Sequence, residues 1–211
     1  VYPNENKRIT QEIKEKILKG IAFLKASGGR RVLGFLLPEI RSLEKMIQAF
    51  PEVTHAVVAG SAQRRKETIG DIDIVAASAK PEKVMERFLG LPQIAHVYGH
   101  GFTKTNVRLK NGLDCDLRVV SASSFGAALN YFTGSKDHNI ALREIAIKQG
   151  MYLNEYGLYR GKKGVAGKTE EEIYHALGFK QAPPPETREN TGELEAARLG
   201  AGKDPHVHRV G

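Results

Sequence analysis

Two aspartates one residue apart, Asp71 and Asp73, follow a loop that opens with Gly60-Ser61 and carries Arg64, Arg65 and Lys66. Successive side chains of a strand point to opposite faces, so "DIDIVAA" puts both carboxylates on one face and Ile72 and Ile74 on the other. The same alternation in "LDCDLRV" puts Asp114, Asp116 and Arg118 on one face and Leu113, Cys115, Leu117 and Val119 on the other. If these strands are neighbours, two or three carboxylates converge. Like charges so close repel unless a cation sits between them. Hard divalent ions with oxygen ligands meet that need, and Mg²⁺ commonly takes a few carboxylates plus substrate phosphates. A pair of such ions stabilises both the attacking and the leaving oxygen in phosphoryl transfer. A D-x-D on its own is more often the wet face of a half-exposed sheet.

The loop before the aspartates tips the balance. A glycine after a strand lets backbone N–H groups approach a phosphate, and Ser61 adds a hydroxyl. Arg64, Arg65 and Lys66 supply charge, and an arginine holds phosphate through two parallel hydrogen bonds. Gly70 permits a close approach just before Asp71. No G-x-x-x-x-G-K-[ST] pattern is present, so this is not a P-loop.

The elements that must position these groups can be read along the chain. Its 211 residues suit one large domain or two small ones. Thr10 is placed to cap a first helix with Ile13, Ile17, Ile21 and Leu24 on one face, ended by Gly28-Gly29. "PEIRSLEKMIQAF" predicts a second helix with Pro38 in its first turn and Ile40, Leu43, Ile47 and Phe50 as its apolar stripe. "HAVVAG" and "DIDIVAA" read as strands, and "PEKVMERFLGL" as a helix opened by Pro81. In "TNVRLKNGLDCDLRVV", Asn111-Gly112 between alternating runs is a strong hairpin signal. Beyond Val120, "SSFGAALNYF" and "HNIALREIAIKQG" read as helices stopped by Gly134 and Gly150, and "MYLNEYGLYRG" as a small hairpin. Thr169 and Glu172 have capping-box spacing. From "APPPETRENTG" onward, proline and polar residues predict a linker and a mobile tail.

Composition narrows the class. The 32 Lys and Arg against 24 Asp and Glu leave a formal charge of +8, which favours a polyanionic partner, nucleic acid first and an anionic membrane second. The single cysteine, Cys115, excludes an internal disulfide and fits a reducing cytosol. No apolar run is long enough to span a membrane, and the polar N-terminal stretch lacks a signal-peptide core.

The run Gly60-Ser61-x-x-Arg64-x-x-Glu67-x-x-Gly70-Asp71-x-Asp73, with Asp116 on a later strand, resembles the nucleotidyltransferase signature of the family X DNA polymerases. A second segment, "NYFTGSKDHNIALREIA" from Asn130 to Ala146, resembles the Tyr-Phe-x-Gly-Ser segment of that family and its following helix, and "LNEYGLY" continues the likeness. The first motif alone points to the broader nucleotidyltransferase fold; the two in order point to family X. The resemblance runs from about Leu33 to Gln181. It implies an α+β fold: a polymerase beta-like nucleotidyltransferase palm with a mixed sheet and flanking helices, plus a small helical and β-hairpin nucleotide-binding subdomain. Residues 1–30 would be the remnant of a DNA-binding helix–hairpin–helix region, 31–120 the palm, 121–182 the nucleotide-selecting subdomain, and 183–211 a mobile linker and tail.

The family's roles carry over residue by residue. The resemblance implies that Asp71 and Asp73 bind two Mg²⁺ ions, with Mn²⁺ as an alternative metal. Asp116 would bind the catalytic ion and help activate a primer 3′-hydroxyl, a choice between Asp114 and Asp116 that spacing alone leaves open. Gly60, Ser61, Arg64 and Gly70 would hold the outer phosphates of a dNTP. Tyr131 and Phe132 would line the sugar, with Gly134 placing them. Asn139 would reach the incoming nucleotide and Arg143 the template. Arg118 would exchange partners beside Asp116, and Lys104 and Lys110 would grip DNA phosphates. Asn4-Glu5-Asn6 stands where the helix–hairpin–helix glycines would be, which removes backbone anchoring from that module. His206-x-His208 resembles the first ligand pair of a C-terminal phosphoesterase domain, but two tail histidines are no site, and neither exonuclease nor phosphatase activity is expected. The expectation is a cytoplasmic bacterial or archaeal, monomeric, template-directed DNA polymerase acting in short-gap repair. A nucleotidyltransferase with another acceptor and a catalytically impaired DNA- or nucleotide-binding fragment are the alternatives.

Overall fold

The computed structural model describes residues 13–14 and 29–200. The chain divides after Arg30 into two units, and the described architecture belongs to the second. The helix expected after Thr10 falls almost wholly outside the described residues, as do Asn4-Glu5-Asn6 and the histidines at 206 and 208.

The first long helix, α1 (Leu33–Gln48), follows a short strand β1 (Arg31–Val32). Leu33, Leu36, Ile40, Leu43 and Ile47 recur at spacings of three and four and are all buried. The sequence placed the start of this helix at Pro38. It starts five residues earlier, because the apolar stripe already begins at Leu33, whose N–H donates to the Glu67 carbonyl at 2.8 Å. Pro38 therefore stands inside the helix, without the backbone donor that a helix interior normally uses.

The chain continues through β2 (His55–Val58), the single turn α2 (Gly60–Gln63), β3 (Thr68–Ile69), β4 (Asp71–Ala77), α3 (Pro81–Leu89), β5 (Ile94–His100), β6 (Lys104–Leu109) and β7 (Asp114–Val120). Five of these strands form one sheet in the order β2-β4-β7-β6-β5. Only β4 and β7 run parallel in it; the other neighbours are antiparallel. The Asn111-Gly112 hairpin forms as predicted: Arg108 pairs with Asp114, and Gly112 takes the left-handed φ of +84° that a side chain resists. One face of the sheet, with Ile72, Ile74, Val107, Cys115 and Leu117, is buried against α1 and against Val84, Met85 and Phe88 of α3. Each such large apolar side chain contributes about 1.5–3 kcal/mol on burial. The fold is the α+β arrangement expected, with a mixed sheet and flanking helices.

After β7 come a 3₁₀ turn (Ala122–Ser124), α4 (Phe125–Thr133) and α5 (Lys136–Lys148). Then β8 (Tyr152–Asn154), β9 (Gly157–Arg160) and β10 (Lys163–Ala166) form a three-stranded sheet, one strand more than the sequence suggested. "KGVA" is too short and too glycine-broken to signal a strand by alternation. Thr169 caps α6 (Glu170–Ala176) as expected, its hydroxyl accepting from the Glu172 N–H at 3.1 Å. Ala128 of α4 packs on Ala59 and Val75, so α4 lies on the lower part of the sheet's second face.

The stretch expected to begin a mobile linker does not behave as one up to residue 200. It forms a 3₁₀ turn (Pro185–Thr187) and α7 (Glu193–Leu199), and Arg188 is 1% exposed. Arg188 is ion-paired to Glu170 and donates to the Pro183 carbonyl at 2.9 Å. Glu193 accepts from the Asn190 and Thr191 N–H groups at 3.0 and 2.8 Å. Proline-rich, polar composition reads as a linker, but here charged side chains turned inward replace the missing apolar ones.

A buried polar chain ties these helices together. His138 lies 2.6 Å from Glu193 through Nδ1 and 2.6 Å from the Tyr174 hydroxyl through Nε2, and that hydroxyl reaches Asn130 at 2.9 Å. Burial holds the His138 pKa below its ordinary value, although the bond to Glu193 acts the other way. Tyr174→Phe removes the shared hydroxyl and leaves buried polar atoms of His138 and Asn130 without a partner. It is expected to cost about 2 kcal/mol and lower Tm by roughly 4–8 °C in a thermal melt. An unchanged Tm would refute the role given to this hydroxyl.

Candidate functional site

The ladder between β4 and β7 sets Asp71 beside Asp114 and Asp73 beside Asp116, in parallel register. On the far side of β7, β6 sets Arg108 against Asp114 and Asn106 against Asp116. Neighbouring strands lie about 4.8 Å apart, so four carboxylates crowd one small patch of the sheet. Their environments separate them. Asp114 is held by Arg108 through Nε and Nη2 at 2.8 and 3.1 Å, and by the Tyr98 hydroxyl at 3.0 Å. That fork neutralises Asp114 and leaves Asp116 as the β7 acid facing Asp73. Asn106 donates from Nδ2 to Oδ1 of Asp116. Burial of Tyr98 and its bond to Asp114 push the phenol up to about 12, which keeps it a donor.

Asp73 is the strained member. Burial first, then the charges of Asp71 and Asp116, push its pKa up to about 7, against the opposing pull of Arg118 and Arg64. Its carboxylate also lies against Gly60, where a Cβ would come within 2.4 Å of Oδ2, and Gly60 has a φ of +64°. Both facts disfavour a side chain at residue 60. Carboxylates brought together at this cost fit a hard divalent cation, which would draw on Asp71, Asp73 and Asp116. Among the described residues no three acidic, histidine or cysteine side chains are drawn together as a ready-made metal cage.

The phosphate-friendly loop is a single helical turn. Ser61 lies in α2, half-buried, and Arg65 follows in a left-handed conformation with φ +54°. Gly70 is exposed between β3 and β4. Arg64 points toward the α4–α5 junction: Nε donates to Glu189 at 3.0 Å and Nη1 to the Thr133 carbonyl. Lys66 meets the same Glu189 oxygen at 2.7 Å. Gly134, φ +71°, is glycine for a second reason, because a Cβ there would sit 3.1 Å from Arg64 Nη1. The peptide between Gly134 and Ser135 is cis.

The remaining expected residues lie on β6, β7, α4 and α5. Tyr131 is 38% exposed and meets Phe132 edge-on, with ring centroids 5.0 Å apart. The Arg118 guanidinium stacks 4.6 Å over Phe132, and its Nε is buried without a hydrogen-bond partner. Lys104 pairs with Arg118 in the β6–β7 register and is exposed. Asn139 donates to the Tyr131 carbonyl at 2.8 Å, and Arg143 Nε to the Asn139 carbonyl at 3.1 Å. With Asn130, Leu153 and Asn154 these residues line a small cleft, in which the buried Asn139 Oδ1 has no hydrogen-bond partner.

Residues 128–189 match the family model described as the DNA polymerase beta thumb. The chain is 35% identical over 185 residues to DNA polymerase/3′-5′ exonuclease PolX of Bacillus subtilis, a match covering 86% of this chain and 32% of that protein. It is 28% identical over 184 residues to DNA polymerase lambda of Rattus norvegicus, covering 70% of this chain and again 32% of the relative. Together these matches support reading the chain as part of a family X DNA polymerase. The chain spans about a third of the length of these curated relatives. Two crystal structures of Leishmania infantum polymerase beta share the fold. The ternary gap complex superposes with a TM-score of 0.68 at 20% identity, covering 81% of this chain and 74% of that one. The ternary P/T complex gives 0.67 at 21%, covering 81% and 80%.

Two residues close to the site were not foreseen. Asn106 was legible: counting back from the Asn111-Gly112 turn puts it opposite Asp116. Glu189 was not, because it lies 125 residues from Arg64 and no local pattern marks the pairing.

The Asp73 environment makes a thermodynamic prediction. A carboxyl with a folded pKa of about 7 and an unfolded value near 3.8 costs stability as pH rises between the two, and the full cost remains above pH 7. Below about pH 4 the contribution vanishes. In EDTA, Asp73→Asn is therefore expected to raise Tm at pH 8 by on the order of 4–8 °C and to leave it unchanged at pH 4. A variant equally or less stable than the parent at pH 8 would contradict this account of Asp73.

Proposed function

We propose that the chain catalyses template-directed transfer of a deoxynucleotide from a dNTP to a primer 3′-hydroxyl, as in filling short DNA gaps. The observation that carries this reading is the register that sets Asp73 against Asp116 on adjacent parallel strands, directly beside the Gly60-Ser61 turn. Asp71, Asp73 and Asp116 would hold two Mg²⁺ ions, or Mn²⁺, which supply charge neutralisation at the attacking and leaving oxygens. Asp116 then has the task of orienting the primer hydroxyl and taking its proton. Ser61, Arg64, Gly70 and the backbone of the turn after Gly60 would bind the outer phosphates. The pyrophosphate leaves along that cradle. Most of the catalysis in such a transfer comes from positioning and electrostatics.

The α4–α5 junction supplies the selection. Tyr131 and Phe132 would line the sugar, and a 2′-hydroxyl would meet them. The unpaired Asn139 Oδ1 and Arg143 line the cleft next to it, in reach of a nascent base pair. Lys104, Arg118 and Lys110 give the sheet's rim positive charge for DNA phosphates. Among the described residues no helix is long and apolar enough to cross a membrane. The likeness to the Bacillus subtilis protein supports a cytoplasmic setting in a bacterial or archaeal cell.

Primer extension on a one-nucleotide gap tests the reading, with Asp116→Asn as the control. The parent chain should add the templated base and little without template. Asp116→Asn should lose at least about a thousandfold in rate while its DNA affinity stays within about twofold, since the change removes a carboxylate and no packing. Equal addition with and without template would favour a different acceptor. An unimpaired Asp116→Asn would remove the residue from the mechanism.

A further inference from the structure

β6 faces the acids of β7 with an uneven set of side chains. In the antiparallel register Lys104 stands opposite Arg118, Asn106 opposite Asp116 and Arg108 opposite Asp114. Lys104, Asn106 and Arg108 alternate onto one face of the strand, and the position opposite Asp116 is the uncharged one of the three. The two acids are therefore treated differently. Asp114 receives a guanidinium through two N–H groups and a phenol, which cancels its charge. Asp116 receives an amide N–H from Asn106 Nδ2 on Oδ1, which holds the carboxylate and leaves its charge whole. Asparagine is a poor strand residue, so local preference does not explain it there. Its neighbours Thr105 and Val107 are 1% and 0% exposed, which fixes the backbone beneath the amide. On the β5 side its partner in the ladder is Gly99, which has no side chain to compete for that amide.

We propose that Asn106 is a positioning residue for the transfer: its neutral amide keeps the Asp116 carboxylate in place beside Asp73 with its charge intact, ready to share a divalent ion. The inference rests on reading Asp116 as a ligand of the catalytic ion. A carboxylate turns about two side-chain bonds, and repulsion from Asp73 across the β4–β7 ladder favours turning away. An apolar residue at 106 would leave Asp116 free to do so. A lysine or arginine there would hold it but cancel the charge that a cation needs, as Arg108 does for Asp114. Each carboxylate oxygen has two lone pairs, so the oxygen that accepts from Asn106 keeps a site for a cation. Partners that orient metal-ligating side chains in this way change metal affinity or activity by roughly ten- to a hundredfold when removed.

Mn²⁺ titrations of the whole chain followed by EPR, without DNA or nucleotide, test this. The relevant ion is the one that Asp116→Asn loses. Asn106→Ala should weaken that ion about tenfold. Asn106→His, whose neutral ring carries an N–H donor at a similar distance from the backbone, should stay within about threefold of the parent at pH 8. DNA affinity in EDTA should stay within about twofold in both, because Lys104 on the same strand keeps its place. In primer extension Asn106→Ala should lose about tenfold in kcat with the dNTP KM within about threefold, since Asn106 bonds Asp116 and not the Gly60–Lys66 loop. Asn106→Leu, which keeps the bulk and lacks the donor, serves if Asn106→Ala does not fold. Unchanged Mn²⁺ affinity, a loss of DNA affinity in step with it, or no recovery in Asn106→His would each overturn the proposal and leave Asn106 with a structural part in β6. If Asp116→Asn binds Mn²⁺ as the parent does, Asp116 is no ligand and the reading beneath the proposal fails instead.

Discussion

Backbone hydrogen bonding in the β4–β7 ladder forces like charges together. Asp73 and Asp116 cannot move apart by sliding, because a one-residue slip would turn Ile72, Ile74, Cys115 and Leu117 out of the core. The apolar face thus fixes the acidic face. The electrostatic cost falls mostly on Asp73, which is buried on one side by Gly60 and flanked by two other carboxylates. The chain relieves part of the cost locally: Arg108 and Tyr98 take up Asp114, and Asn106 donates to Asp116. What remains is a concentrated negative site that gains most from a divalent cation, the property that the proposed nucleotidyl transfer needs.

How far this was legible in the sequence depends on the kind of interaction. Strand alternation gave the facing of Asp71, Asp73 and Asp116, and the Asn-Gly turn gave the β6–β7 pairing, because both are local rules with a period of two. The parallel pairing of β4 with β7 spans a helix and two strands and has no local signature, so the convergence of the acids stood as a condition until the sheet order was known. Helix α1 was legible in type and stripe but not in its start. Pro38 is a strong punctuation mark, and the apolar residues Leu33 and Leu36 outweighed it.

The segment after residue 182 was misread for a physical reason. Its order comes from Arg188, Glu193 and His138, residue types that signal solvent in any composition-based reading. They are buried here because each has a partner: Glu170 for Arg188, and Tyr174 with Glu193 for His138. Such a network specifies one arrangement of α4, α5, α6 and α7, since any other leaves a buried charge or hydroxyl unpaired. The cost of a mismatch is what turns a polar, proline-rich stretch into a fixed support for α4 and α5.

Arg64 is where the two halves of the site meet. It leaves the palm loop and is held by the Thr133 carbonyl, by Gly134 packed against it and by Glu189, all on the far side of the sheet's second face. Gln63 beside it accepts from the Thr133 hydroxyl, so consecutive loop residues grip the same residue of α4. Tyr131 and Phe132 precede Thr133 on that helix, and Phe132 in turn carries the Arg118 guanidinium over its ring. A ligand that altered the hold on Arg64 would act on a junction shared by the Gly60–Lys66 loop, Tyr131 and Phe132, and an arginine whose charge bears on Asp73. The loop carrying Arg64 and the helix carrying Tyr131 and Phe132 are therefore joined through a short run of direct contacts.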